Sequence, residues 1–120
     1  MKIEGTRTSP SVNIEKGIFE IKGRSIPEDS HDFFSPIVHE VQDYIKNPLE
    51  NTILRFHLDY INSGSKKYLS NIISHFNDMY LEGKNVSIYW NYDYDDESIM
   101  ELGKDLMGMT QIPFHMVEVS

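Results

Sequence analysis

The chain has 120 residues, 39% of them hydrophobic and 25% charged, and no cysteine. Such a length suits one domain around one core, and the missing thiols exclude disulfides, thiolate metal sites and a cysteine nucleophile. Nineteen acidic residues against eleven basic give a formal charge of −8. That charge disfavours nucleic acid and anionic membrane as partners, because no basic cluster is larger than Lys66-Lys67.

The opening "MKIEGTRTSP" has no apolar core of signal-peptide type, and no later run approaches membrane-spanning length. A cytoplasmic location is therefore expected. "SVNIEKGIFEIKG" reads as a hairpin turning at Glu15-Lys16-Gly17, with Phe19 and Ile21 opposing Glu20 and Lys22. "SIPEDS" is loop, since Pro27 biases Ile26 toward extended geometry. From Ser30 to Lys46 the apolar residues Phe34, Ile37, Val38, Val41 and Ile45 recur at helical spacing. Pro36 leaves two starts open. Either Ser35 caps the helix with Pro36 at its first position, or the helix begins near Ser30 and bends there.

"TILRFHLDY" alternates, with Leu54, Phe56, Leu58 and Tyr60 on one side and Arg55, His57 and Asp59 on the other. "VSIYWNY" alternates in the same way, Val86, Ile88 and Trp90 against Ser87 and Asn91. Between them, Ser65 to Glu82 carries a broad apolar stripe and stops at Gly83. A shorter helix spans Asp96 to Met107, and "FHMVEV" is a last strand. The fold class is α/β, ββαβαβαβ, with a mixed sheet, an N-terminal antiparallel hairpin and helices mainly on one face.

The five histidines show no helical zinc spacing. "NYDYDDES" fails as a calcium loop. Counted from Asp93, Ser98 stands where glycine is needed and Lys104 where a bidentate glutamate is needed. The carboxylates are better read as caps at a helix N-terminus, or as an acidic docking patch. No metal and no cofactor are expected.

"INSGSKKYL" is the informative stretch. It lacks the elbow of a serine hydrolase and the glycine-rich length of a nucleotide loop. Ser63 or Ser65 can cap the following helix. A hydroxyl at a helix N-terminus is also a favourable place for a phosphate, because unpaired N–H groups point at the added charge. The stretch reads as a cap, a switch or both.

Four segments in order carry a family resemblance: "GRSIPEDS", "LDYINSGSKKYL", "IYWNYDYDDESIMELGKDL" and "IPFHMVEV". They resemble the SiaC-like regulatory phosphoproteins of bacteria, which are similar in fold to STAS-domain anti-sigma-factor antagonists. The resemblance implies a single regulatory domain over residues 1–120, non-catalytic and governed by partner switching. A serine/threonine kinase would phosphorylate it and a metal-dependent phosphatase would reverse this. The unmodified form would bind a downstream signalling protein, in the studied branch a diguanylate cyclase, in control of biofilm formation and aggregation. The hydroxyl after the asparagine, here Ser63 after Asn62, would be the acceptor, with Ser65 the alternative. Gly64 replaces a hydroxyl residue of the family pattern. Asp59, Tyr60, Asn62, Gly64, Ser65, Lys66 and the loop from Gly23 to Ser30 are the expected switch-loop and partner-binding positions. Two rivals remain at this point: a constitutive interaction module in which Ser63 only caps, and a small enzyme using the Ser63 loop.

Overall fold

Alternating strands and amphipathic helices assemble as the residue pattern requires, and the computed structural model describes residues 1–119. In chain order the elements are β1 (Lys2–Ile3), β2 (Ser11–Glu15), β3 (Ile18–Ser25), α1 (Ser30–Lys46), β4 (Asn51–Ile61), α2 (Ser63–Leu81), β5 (Asn85–Asp93), α3 (Glu97–Met107) and β6 (Phe114–Val119). The six strands form one sheet in the order β1-β2-β3-β4-β5-β6. The first two pairings are antiparallel and the other three parallel. A strand order that follows the chain, with crossovers of one hand, puts every helix on the same face.

Burial agrees. Leu54, Phe56, Leu58, Val86, Ile88 and Trp90 are buried under the helices, while Arg55, His57, Ser87 and Asn91 are only half-buried on the far face. The helices contribute Phe34, Ile37 and Val41 from α1, Leu69, Ile72, Ile73 and Phe76 from α2, and Ile99 and Leu106 from α3. Each such side chain contributes about 1.5–3 kcal/mol on leaving water.

The hairpin turns at Lys16 (φ 52) and Gly17 (φ 81), with Glu15 paired to Ile18. Two left-handed residues in a two-residue loop match the twist of the strands they join. Pro36 lies inside α1, which starts at Ser30 behind Asp29 as N-cap, so the Ser35 start is excluded.

Three expectations need correction. A short strand, β1, precedes the hairpin and pairs Lys2 with Asn13 and Ile3 with Val12. Two residues carry no readable alternation. They are held by backbone bonds, among them the N-terminal ammonium to the Ile14 carbonyl at 3.0 Å. The long helix begins at Ser63, and its N-cap is Asn62 rather than Ser63 or Ser65. Tyr60, placed with the core by alternation, is 58% exposed, because β4 runs past the edge of the helical layer.

Candidate functional site

The carboxyl ends of parallel strands are where loops converge in such sheets. Here the ends of β3 and β4 are tied together by Asn62. Its backbone N–H donates to the Ser25 carbonyl at 3.0 Å, and its side-chain amide donates to the Pro27 carbonyl at 3.2 Å. Its Oδ1 accepts the Ser65 N–H at 2.9 Å. One residue thus closes β4, anchors the Gly23–Ser30 loop and caps α2. The expected Asn62 and Gly23–Ser30 positions come together at this point.

The two candidate hydroxyls are opposite in character. Ser63 is exposed at the first position of α2. Ser65 is 0% exposed, and its Oγ accepts a 2.8 Å hydrogen bond from Ser25 Oγ, which is equally buried. The cap engages the Ser65 amide, and the Lys66 amide donates to the Asn62 carbonyl at 3.0 Å. The amides of Ser63 and Gly64 are the remaining unpaired donors of the first turn. Gly64 is required by contact: a Cβ there would collide with Ser30 Oγ and stand 2.9 Å from Ser30 Cβ. The start of α1 therefore packs directly against the start of α2. No sequence pattern announced that contact.

Beside the loop, a cavity of about 650 Å³ opens between the starts of α2 and α3. Arg24, Asp59, Tyr60 and Lys66 line one part of it, and Asp93, Asp95 and Asp96 another. Arg24 holds its guanidinium 5.0 Å from the centre of the Tyr60 ring, a cation–π contact. Tyr94, 70% exposed, and Ile26 add apolar surface at the same end of the sheet. Asp96 caps α3 through the Ile99 N–H at 3.1 Å, as the capping reading of the acidic run expects.

Two histidines near this end of the sheet engage groups other than Ser63. His31 meets the Tyr68 hydroxyl at 2.7 Å, and His57 Nε2 meets Asp93 Oδ1 at 3.1 Å. One constellation escaped the sequence reading, which placed Asp59 among the partner-binding positions and gave His57 no role. Ligand atoms of His57, Asp59 and Asp93 lie within 4.8 Å of one another. The available signal was His57 and Asp59 two apart on one strand face; the third member is joined only by the pairing of β4 with β5.

Fold and site define a small α/β domain whose exposed features gather at one end of its sheet. A family model described as SiaC family regulatory phosphoprotein matches residues 3–119, so the chain belongs to the SiaC family. An uncharacterized protein of Pseudomonas aeruginosa (strain UCBPP-PA14) is 26% identical over 116 residues, covering 95% of this chain and 92% of that one. The crystal structure of diguanylate cyclase SiaD in complex with its activator SiaC, from Pseudomonas aeruginosa, contains a chain that superposes with a TM-score of 0.94. That chain is 25% identical, with 99% of each chain covered. SiaC of Pseudomonas aeruginosa superposes with a TM-score of 0.92 at 24% identity, over 99% of this chain and 98% of that one.

Proposed function

We propose that this chain is a non-catalytic, cytoplasmic partner-switching regulator whose switch is reversible phosphorylation of Ser63. Its unmodified form binds and controls a diguanylate cyclase, and through it biofilm formation. A serine/threonine kinase adds the phosphate and a metal-dependent phosphatase removes it. The observation that carries the choice of acceptor is the contrast in burial: Ser63 faces solvent, while Ser65 is sealed against Ser25. A kinase cannot reach Ser65 without opening the start of α2.

Family membership supports regulation by phosphorylation, and the likeness to a chain solved with a cyclase supports the downstream partner. The loop also suits a phosphate. The Ser63 and Gly64 amides and the helix dipole favour an anion by about 0.3–1 kcal/mol at an exposed site. Lys66 and Lys67 stand exposed in the next positions. Burying the same phosphate unpaired in an interface costs several kcal/mol, so modification releases a partner that recognises the neutral loop. Asp59, Tyr60, Asn62, Gly64 and Lys66 form the surface offered to that partner, with Ser65 holding the loop from beneath.

The test is intact-mass measurement on wild-type, Ser63→Ala and Ser65→Ala proteins purified from the native cell. A phosphate adduct is expected on wild type and Ser65→Ala and not on Ser63→Ala. An adduct lost only in Ser65→Ala moves the acceptor by two residues. No adduct on wild type under any growth condition leaves Ser63 an ordinary helix residue in a constitutive interaction module.

A further inference from the structure

We infer that His57, Asp59 and Asp93 form a divalent transition-metal site of the zinc class at the carboxyl ends of β4 and β5. The ligand types are right for such an ion: one imidazole nitrogen and two carboxylates, which zinc accepts at about 2.0–2.2 Å. Imidazole also selects this class over magnesium and calcium, which prefer all-oxygen shells. Two ligands of a tetrahedral ion with such bond lengths stand about 3.4 Å apart. His57 Nε2 and Asp93 Oδ1 are already 3.1 Å apart. The third atom of the set lies within 4.8 Å of both, and Asp59 is exposed. His57 Nε2–H donates to Asp93; a metal on Nε2 replaces that proton, leaving neutral His57 protonated on Nδ1.

Three further observations favour a cation here. His57 and Asp93 come from paired strands and Asp59 from the same strand as His57, so the backbone holds all three in register. Neither carboxylate is paired with a lysine or arginine among the described residues. Lys22 and Arg55, on the same sheet face, are both held by Glu20, at 3.6 and 3.7 Å, and Arg24 lies over Tyr60. Finally, Asp59 and Asp93 line the large cavity beside α2. With three protein ligands, the fourth position of a tetrahedral ion opens toward that cavity, available to water or to a side chain of a docked partner. The inference does not depend on phosphorylation of Ser63.

The test is calorimetric titration of zinc chloride into chelator-stripped full-length protein, with circular dichroism to confirm folding of each variant. Wild type is expected to bind one equivalent, and a large excess of magnesium not to displace it. His57→Ala and Asp93→Asn should each weaken binding by more than the roughly 10- to 100-fold that loss of an outer-shell partner costs. His39→Ala removes the exposed His39–Asp43 pair of α1 and should leave the affinity unchanged. No zinc binding by wild type overturns the inference. So does undiminished binding by His57→Ala, or binding lost in His39→Ala instead. Displacement by equimolar magnesium overturns the assignment to the zinc class.

Discussion

Ser63 and Ser65 are separated by one glycine and by the boundary of the core. Ser65, two positions on from Ser63 in α2, is turned inward beside Ser25, while Ser63 stays in water. The sequence showed two equivalent hydroxyls near a helix start, because the distinction depends on β3, forty residues away. Ser65→Ala therefore costs more than a cap. It leaves Ser25 Oγ buried without its partner, an expected loss of about 1–3 kcal/mol. Replacing both serines by alanine removes both unsatisfied groups and should cost less than the sum of the single changes. Urea denaturation of the two single variants and the double variant measures this. Strict additivity would mean that the buried pair does not act as a unit.

Among elements, α3 shows how a motif can be visible while its reason is hidden. Within the family-like segment "IYWNYDYDDESIMELGKDL", Glu101-Leu102-Gly103 places Gly103 against the indole of Trp90, where a Cβ would stand 2.5 Å from Nε1. That nitrogen donates to the Ile99 carbonyl at 2.9 Å, so the ring cannot shift without breaking its bond. Gly103→Ala is expected to destabilise the fold by about 1–3 kcal/mol through overpacking, despite alanine's better helix propensity. A lowered denaturation midpoint with perturbed Trp90 fluorescence would bear this out; a stabilised variant would show that α3 can move away from β5. Periodicity made the helices and strands legible, since Phe34, Ile37, Val41 and the alternating residues of β4 and β5 each repeat on their element's own period. It failed at ends. β1 is too short to alternate, Tyr60 passes the helical layer, and the cap of α2 fell to Asn62 because an amide that also reaches Pro27 settles the loop in a way a serine cannot.

For the molecule as a whole, sequential strand order brings three distant segments to one end of the sheet: the loop after β3, the start of α2 and the start of α3. The family resemblance pointed to the loop around Ser63 as the proposed switch; the cavity and the His57, Asp59 and Asp93 cluster are properties of strand pairing and could not be read from spacing. An anion added at Ser63 meets the free amides of α2 without disturbing the core, so the fold tolerates it while the surface gains negative charge. Phosphorylation should accordingly leave circular dichroism unchanged and alter binding alone. Ser63→Ala should remain in the binding form. Ser63→Asp should fold and bind weakly, though one carboxylate carries less charge than a phosphate and imitates it imperfectly.

The measurement that bears most directly on the proposed switch is the affinity of unmodified and stoichiometrically Ser63-phosphorylated protein for the diguanylate cyclase of the same organism, made side by side. A penalty of about 2.7–4.1 kcal/mol corresponds to binding weakened about 100- to 1,000-fold, with both forms equally folded. Equal affinity of the two forms, or tighter binding by the phosphorylated one, would contradict it.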